Sequence, residues 1–435
     1  MDHKGLFPKS VHPGLPRLGT KPDGWITLRL GEVLEVKTRP AEIRDQDEYE
    51  LVTAKRSREG IVSRGIKKGA SIKVKSQFYI AAGDFLISRR QIVHGGCGIV
   101  PHELDGAIVS NEYLSLRARN GLSQSYLKWL SHTVPFQQTC FHASIGVHVE
   151  KMVFKPERWF RFHFHFPPIE EQQKIVEVLD TWDTAIMQTE KLIEAKRRLK
   201  KGLMQQLLTG KRRFKEFVKS KETRRTKYEE LPVDWDLVCV RDIADVNKRS
   251  LPNSTDPDYE FFYVDLSAVK EGTVDFPNIR IRFGEAPSRA RRIVVSGDVI
   301  MATVRPNLKG FALANFDTTD TVCSTGFALI SPYCKSDSRF IYENLYCDLI
   351  SQQIHSLLVG SNYPALNSSD VENMHLFYPT DKDEREQISK VLAGIGNEIQ
   401  NLNLCLQALQ EQKRGLMQKL LTGQIRVKAT GEMTA

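Results

Sequence analysis

The sequence lacks the marks of a disulfide framework, a zinc site or a membrane protein. Its seven cysteines form no Cys-X-X-Cys pair and their number is odd, which indicates reduced, mostly buried thiols. No apolar run approaches the ~18 residues that a membrane-spanning helix needs. The N-terminus has no apolar core of a signal peptide. These absences favour a cytoplasmic location.

Signatures of catalysis and of cofactor binding are also missing. There is no Gly-X-X-X-X-Gly-Lys-Ser/Thr loop for ATP and no glycine-rich signature for S-adenosylmethionine or a dinucleotide. There is no convincing carboxylate–lysine cluster of a nuclease. His163 and His165 alternate along a predicted strand, and we interpret them as strand residues rather than metal ligands. The sequence therefore predicts a binding protein with no catalytic residue, metal or cofactor of its own. The alternative is a DNA methyltransferase or nuclease with an unrecognised active site.

The feature that is present most clearly is a duplication. The nonapeptide Gly202-Leu-Met-Gln-Gln-Leu-Leu-Thr-Gly210 recurs as Gly415-Leu-Met-Gln-Lys-Leu-Leu-Thr-Gly423, with eight of nine positions identical at an offset of 213 residues. The offset is close to half of the 435-residue chain. The sequence is therefore interpreted as two copies of one unit, which suggests a partner that also has two halves.

Each nonapeptide ends a segment with apolar residues spaced by four and three, a pattern typical of a coiled coil. The predicted coiled-coil residues are Ile175, Leu179, Trp182, Ile186, Ile193, Leu203, Leu207, Ile388, Leu392, Ile395, Ile399, Leu402, Leu406, Leu409, Leu416 and Leu420. Matched length and register favour an antiparallel pair with pseudo-twofold symmetry over two separate amphipathic helices. Lys196, Lys200 and Lys413 interrupt the stripes, and we expect looser packing there.

A stretch of about 145 residues precedes each helix, and the two stretches open alike. Pro22-Asp-Gly-Trp25 corresponds to Pro232-Val-Asp-Trp235, and a β-like run follows Gly83-Asp84 and Gly297-Asp298. The predicted fold class is α+β, with two similar α/β domains separated by the two helices. The predicted segments are a tail (1–21), the first domain (22–166), the central helix (167–210), a basic linker (211–231), the second domain (232–378), the distal helix (379–423) and a tail (424–435). We interpret the linker as a solvated connection in preference to a DNA-contacting arm.

Basic clusters lie at similar places in both predicted domains, within a chain of net charge +9. Such clusters predict contact with DNA, mostly with phosphates and in a few cases with bases. The predicted residues are Lys55, Arg56, Arg58, Arg64, Lys67, Lys68, Arg89, Arg90, Gln91 and His94 in the first domain, and Arg289, Arg291, Arg292, Arg305, Asn307 and Lys309 in the second. A coiled-coil scaffold that binds no nucleic acid is a further interpretation, which these clusters oppose.

The sequence resembles the specificity (S) subunit of type I restriction-modification systems over nearly its whole length. The resemblance rests on the repeated nonapeptide and on two similar lead-ins to the helices, Phe166-Pro-Pro-Ile-Glu-Glu-Gln172 and Tyr378-Pro-Thr-Asp-Lys-Asp-Glu-Arg-Glu-Gln387. The second lead-in lacks the second proline. A segment from Leu358 to Leu366 resembles a glycine-serine turn of that family, with a weaker form at 143–147, and adds Ser361, Asn362 and Tyr363 to the predicted DNA contacts.

The resemblance implies more than the residues themselves indicate. In that family each target recognition domain reads one half of a split double-stranded DNA sequence, and the paired helices fix the gap between the halves. Two modification subunits, which use S-adenosylmethionine, dock on the S subunit. Two restriction subunits, which use ATP and Mg²⁺, complete the complex. The resemblance thus implies a host-defence protein that selects DNA sites for catalytic partners.

Overall fold

The computed structural model describes residues 8, 10–270, 272–316, 319–358, 365–427 and 433–434. Contacts divide the chain into two compact units. Unit 1 extends to Thr189 and resumes at Cys405, whereas unit 2 comprises Glu190–Leu404. Because both long helices cross these divisions, each unit contains part of both helices together with one mixed α/β domain.

Two helices in the described ranges are far longer than the others. The α-helices are α1 (Leu30–Val33), α2 (Gln124–Leu130), α3 (Val134–His142), α4 (Pro156–Trp159), α5 (Ile169–Leu207), α6 (Val240–Ile243), α7 (Asp337–Asn344), α8 (Asp348–Leu358), α9 (Ser368–Glu372) and α10 (Lys382–Leu421). Helices α5 and α10 contain 39 and 40 residues. At about 1.5 Å per residue each is roughly 60 Å long.

Glycines follow both long helices at equivalent positions. Gly210 has φ of +70° and Gly423 has φ of +72°, the left-handed conformation that commonly terminates a helix. A Cβ atom on Gly210 would lie 2.9 Å from Cδ of Pro232. The repeated glycine is therefore required both for the turn and for close approach of the following domain.

The apolar stripes are buried between the helices, as their spacing predicts. All sixteen predicted coiled-coil residues are at least partly buried. In unit 1, Ile175 and Leu179 share a core with Leu420. In unit 2, Leu207 shares a core with Ile388. Within each unit the early turns of one helix therefore lie against the late turns of the other, which confirms the antiparallel pairing.

The three lysines that interrupt the stripes all form ion pairs, so each ammonium group has an acidic partner. The pairs are Lys196–Glu398, Lys200–Glu343 and Lys413–Asp183. The Glu343 side chain is only 1% exposed, and Nζ of Lys200 lies 2.9 Å from its carboxylate. Nζ of Lys413 also lies 4.6 Å from the ring centroid of Trp129. The flexible lysine stems fill the stripe while their ammonium groups find carboxylate or aromatic partners.

The unit 1 domain is built around two larger sheets. Its strands are β1 (Ile26–Arg29), β2 (Leu34–Lys37), β3 (Pro40–Ala41), β4 (Glu48–Ala54), β5 (Ile61–Lys68), β6 (Gln77–Tyr79), β7 (Phe85–Ser88), β8 (Cys97–Ile99), β9 (Ile108–Ser110), β10 (Tyr113–Ala118), β11 (Ser144–Ile145), β12 (Val153–Phe154) and β13 (His163–Phe166). One sheet has the order β2-β10-β7-β8 and the other β3-β6-β9-β4-β5. Strand β1 pairs with β13, the strand that leads into α5. This pairing places the start of the domain beside the start of the helix.

Unit 2 repeats this topology with different connecting segments. Its strands are β14 (Thr223–Arg225), β15 (Glu230–Pro232), β16 (Trp235–Cys239), β17 (Ala244–Val246), β18 (Glu260–Val264), β19 (Val269–Lys270), β20 (Thr273–Val274), β21 (Arg280–Arg282), β22 (Ala290–Ile293), β23 (Val299–Ala302), β24 (Phe311–Leu313), β25 (Thr321–Ser324), β26 (Phe327–Pro332) and β27 (His375–Pro379). The order β17-β26-β23-β24 matches β2-β10-β7-β8, and β16–β27 matches β1–β13. In unit 1, β28 (Arg426–Val427) and β29 (Met433–Thr434) follow α10. The two domains therefore share one frame.

Segment 211–231 is more ordered than a solvated linker requires. It contains β14 and β15, which pair with each other, and Leu231 is fully buried. Most of its basic side chains are exposed, but the Arg213 side chain is only 6% exposed. The sequence did not predict this order, because one buried arginine and one short hairpin are not distinguishable within a strongly basic segment.

The aspartates of the two Gly-Asp motifs stabilise the shared frame. The Asp84 side chain is 0% exposed, and Arg39 and Arg117 each donate to it at 2.6 Å. In unit 2, Arg249 donates to Asp298 at 2.8 Å, while Ser331 donates at 2.7 Å. Burial opposes the charge of Asp84, but hydrogen bonds from Arg39, the Ala81 N–H and Arg117 outweigh it and lower the pKa of Asp84. Each aspartate thus joins neighbouring strands through charge-assisted hydrogen bonds.

We expect the substitution Asp84→Asn to destabilise the unit 1 domain by about 2–3 kcal/mol, because two arginines lose a charged acceptor. Hydrogen exchange of peptides from β7 and β10 would measure the loss locally. Glu112→Gln is the matched control, since Glu112 pairs with Arg90 at an exposed position and its loss should cost under about 1 kcal/mol. Equal protection in both variants would contradict the assigned role of Asp84.

Candidate nucleic-acid interface

The β4–β5 hairpin of unit 1 carries a cationic edge. Its register places Glu48 opposite Lys68 and Tyr49 opposite Lys67, with an irregularity near Gly65, whose φ is +90°. The side chains from Ser63 to Lys68 are all exposed. No ion pair to Arg64, Lys67 or Lys68 forms within the described part of the chain. Three uncompensated cations on one exposed strand suit the phosphates of a nucleic acid.

The neighbouring turn at 55–58 combines one half-buried arginine with two exposed cations. Arg56 donates to Glu150 at 2.8 Å and to the Gln91 side chain at 2.8 Å. Arg58 donates to the backbone carbonyl of Ser131 at 2.7 Å, and burial lowers its pKa. Lys55 is exposed. The structure therefore uses Arg58 to fasten the turn to the domain, and leaves Lys55 and Arg56 exposed to a partner.

In the loop after β7, His94 is buried and does not lie at the surface as predicted. His94 is 0% exposed, and its ring contacts Ser10 at 3.1 Å and Glu150 at 3.3 Å. Burial and the charge of Arg56 lower its pKa, against the opposing effect of Glu150. A fully buried imidazole is not placed to contact DNA, so the prediction for His94 is wrong. The pattern of basic and amide residues gave no sign of burial.

The other predicted residues of that loop are partly engaged. Arg90 donates two hydrogen bonds to Glu112, at 2.8 and 3.1 Å. Arg89 and Gln91 are half-buried. Arg90 is exposed and its surface ion pair is of the kind that exchanges readily. It remains the best-exposed member of this group.

The equivalent loop of unit 2 is exposed and conformationally strained. A short 3₁₀ turn at Pro306–Leu308 is flanked by Arg305 and Lys309, both in the left-handed region with φ of 51° and 54°. Arg305 and Asn307 are exposed, and the Leu308 side chain is 66% exposed. Non-glycine residues in this region cost on the order of 1 kcal/mol or more each, and such strain is concentrated at functional sites. The loop presents a guanidinium and an amide, the groups that read guanine and adenine.

The remaining basic cluster of unit 2 is divided between surface and interior. Arg289 is exposed, whereas Arg291 and Arg292 are half-buried. The guanidinium of Arg291 lies 4.5 Å from the ring centroid of Phe283. Arg289 is thus the member of this cluster that is most accessible to a partner.

Three predicted contacts, Ser361, Asn362 and Tyr363, lie outside the described residues. Their weaker counterpart in unit 1 is described: Ile145 and Val147 are both exposed, the latter completely. In the described ranges no three His, Cys, Asp or Glu side chains come together as a metal site would need. Nor is any described helix long and apolar enough to cross a bilayer.

The sequence analysis missed two functional candidates, Arg213 and Arg426. It assigned the first to a linker and the second to a tail, but both lie in well-defined ion pairs. The signal was present in the sequence, because each arginine follows the repeated Thr-Gly at the same distance.

Comparison with known proteins shows the family to which this chain belongs. The family model described as the type I restriction modification DNA specificity domain matches residues 22–197 and 232–410. The type I restriction enzyme MjaVIII specificity subunit of Methanocaldococcus jannaschii is 24% identical over 433 residues, covering 94% of each chain. The putative type I restriction enzyme MjaX specificity subunit of that organism is 27% identical over 269 residues, or 60% of this chain and 59% of the relative.

Solved structures agree with this result at the level of the fold. The S subunit of a type I restriction-modification system from M. genitalium has a TM-score of 0.54 at 12% identity, covering 92% of this chain and 96% of that one. A chain from a structure on complex assembly and conformational transition of the type I R-M system has a TM-score of 0.51 at 16% identity, covering 92% and 97%. Together with the family match, these structures confirm the predicted resemblance and fold class.

If the β4–β5 edge holds phosphates, the double substitution Lys67→Ala/Lys68→Ala should weaken binding to duplexes of any sequence. The slope of log K against log salt should flatten by up to about one unit per lost phosphate contact. Fluorescence anisotropy with random-sequence DNA over a range of KCl concentrations measures that slope.

The matched control for this experiment is Lys37→Ala/Lys75→Ala, which removes the same charge. Those ammonium groups pair with Glu35 at 2.7 Å and Asp45 at 2.6 Å. The control should change the slope less. A slope that is unchanged in the Lys67/Lys68 variant would show that this edge does not touch DNA.

Proposed function

Because this chain belongs to the type I restriction-modification DNA specificity family, we propose that each of its two domains reads one half of a bipartite double-stranded DNA target. The paired helices α5 and α10 set the length of the spacer between the halves and dock two modification subunits. Two restriction subunits join the same complex. The protein thereby chooses the site at which its partners act.

The observation that supports this proposal is that both domains have the same arrangement of strands but different exposed loops. The sheets and the buried Gly-Asp carboxylates recur in both domains. The equivalent loops after β7 and β23 differ: one covers a buried histidine, whereas the other exposes Arg305 and Asn307. Two similar domains with different reading surfaces suit a target whose halves have different sequences.

The chain itself is proposed to be non-catalytic and to act in the cytoplasm. S-adenosylmethionine would be used by the modification subunits, and ATP and Mg²⁺ by the restriction subunits. What this chain contributes is binding and placement. Its cationic edges hold the DNA backbone, and its exposed loops contact base edges.

Reconstitution with the modification subunits tests the proposal. The chain alone should neither methylate nor cleave DNA, and its addition should confer methylation at one bipartite sequence. Exchange of residues 22–166 for the equivalent domain of another specificity subunit should change one half-site and leave the other intact, as sequencing of the methylated products would show. Sequence-specific methylation by the modification subunits without this chain, or by this chain alone, would contradict the proposal. The second result would favour a methyltransferase.

Lengthening both helices should lengthen the spacer. Asp183 of α5 pairs with Lys413 of α10 in the same unit, and six residues along each antiparallel helix this pairing brings Thr189 opposite Gln407. Insertion of seven residues after each position keeps the heptad phase and adds about 10 Å, or about three base pairs at roughly 3.4 Å each. We expect methylation at the same half-sites with a spacer about three base pairs longer.

The corresponding single insertion after Thr189 should lengthen the spacer by about one to three base pairs, because the partner helix transmits only part of the rise. Sequencing of methylated DNA reads both outcomes directly. An active variant that retains the original spacer would show that the helices do not measure the gap.

A further inference from the structure

A buried ion-pair cluster, which we call the helix-end clamp, joins the unit 2 domain to both long helices. Arg213, beyond the end of α5, donates from Nε and Nη2 to Glu384 in the first turn of α10, at 2.7 Å in each case. It also donates to Asp234 at 2.7 and 2.8 Å. Nε1 of Trp235, at the start of β16, donates to the same Glu384 carboxylate at 3.1 Å. The Glu384 carboxylate, which belongs to α10, thus accepts hydrogen bonds from Arg213 beyond the end of α5 and from Trp235 of the domain.

Unit 1 contains the same clamp. Arg426, beyond the end of α10, donates from Nε and Nη2 to Glu171 in the first turn of α5, at 2.7 and 2.8 Å. Its Nη1 donates to the Asp23 carbonyl at 2.6 Å, and Nε1 of Trp25 donates to Glu171 at 3.2 Å. Glu171 is 7% exposed and Trp25 is 3% exposed. The arginines and the glutamates are each 213 residues apart, the offset of the repeated nonapeptide.

The geometry of the clamp fixes the orientation of the domain on the helix ends as well as its distance from them. A bidentate arginine–carboxylate pair is planar and allows little rotation. The guanidinium of Arg213 lies 5.7 Å from the ring centroid of Trp235, and that of Arg426 lies 5.8 Å from that of Trp25. Because Trp25 precedes β1 and Trp235 begins β16, the equivalent strands of the two domains, these side chains set the orientation of each domain on the helix ends. A rotation of the domain at this point would displace its exposed loops relative to the helices.

We propose that Arg213 and Arg426 are positioning residues that fix each recognition domain on the two helix ends and so restrict the spacer length that the protein accepts. This inference rests on the proposed reading of a bipartite target. Helix length sets the mean distance between the half-sites, and the clamps set how narrowly that distance is enforced. The partner of each arginine is a side chain of this chain, so the role belongs to the specificity subunit itself.

The test uses the complex with its modification subunits and a panel of duplexes that differ in spacer alone. The natural spacer is compared with spacers shortened or lengthened by one and by two base pairs. In Arg213→Gln and Arg426→Gln we expect the preference for the natural spacer to fall by roughly tenfold, since a displacement of about 1 Å can change reaction rates by up to about 100-fold. The half-sites recognised should not change. A residue that only stabilised the fold would lower methylation of all duplexes by the same factor.

Three further variants make the test decisive. Arg212→Gln is the matched control, because Arg212 adjoins Arg213 and has an exposed side chain; its spacer preference should equal that of the parent. Arg426→Lys keeps the charge but not the bidentate pair, and should still lose preference. If a glutamine variant fails to fold, Trp235→Phe removes one hydrogen bond of the clamp and should broaden spacer acceptance to a smaller extent.

The outcomes separate this inference from the proposed function. If the parent complex methylates no bipartite site, the proposed function fails. If the parent is selective for one spacer and the glutamine variants keep that selectivity unchanged, the clamps do not position the domains and the inference is overturned. Where the glutamine variants do not fold, unchanged selectivity in the phenylalanine variant overturns the inference in the same way.

Discussion

A carboxylate buried in the first turn of each long helix is the constraint on which the rest of this structure depends. Glu171 and Glu384 are 7% and 0% exposed, and an ionised carboxylate removed from water requires compensating charge and hydrogen bonds. The positive end of the helix dipole supplies part of the compensating charge, and an arginine and a tryptophan supply the hydrogen bonds. Burial opposes the charge of Arg213, but its hydrogen bonds to Glu384 and Asp234 outweigh that effect and raise its pKa. The domain, the helix that follows it and the end of the other helix are therefore coupled at one point in each unit.

The pairing of the two long helices also depends on ion pairs that are partly buried. A pure leucine stripe would bury apolar area but would leave the register of the two helices weakly specified. Lys196 and Lys413 restrict the pairing, since each forms an ion pair with a carboxylate of the other helix, whereas Lys200 pairs with Glu343 of the domain. Lys200 and Lys413 occupy equivalent positions in the two copies, and their neighbours Glu343 and Trp129 belong to the domains. These lysines thus orient the helices against the domains, beyond what the apolar stripe alone can do.

Much of the architecture could be predicted from the sequence because it depends on local, repeated patterns. The heptad stripes and the glycines past them placed α5 and α10 to within a few residues, and the Gly-Asp motifs marked β7 and β23. The burial of His94 could not be predicted in this way, since it results from Ser10 and Glu150, which are remote in the chain. The same holds for the pair of Arg426 with Glu171, which are 255 residues apart. A cation in a polar stretch looks the same whether it faces solvent or a buried carboxylate.

The two equivalent loops show how one frame can carry different surfaces. In unit 1 a 3₁₀ turn at Ile92–His94 is followed by the left-handed Gly95, with φ of +81°, and a Cβ atom there would lie 2.9 Å from Nη1 of Arg58. In unit 2 the equivalent position is Lys309, with φ of +54° and a half-buried side chain. The left-handed residue after the turn is retained, but the residue before it changes from Gln91, with φ of −112°, to the left-handed Arg305 at an exposed tip. Because Asp84 and Asp298 hold the strands in place, such a change at the loop leaves the frame intact. Specificity can then vary at the loops without altering the helix ends that position them.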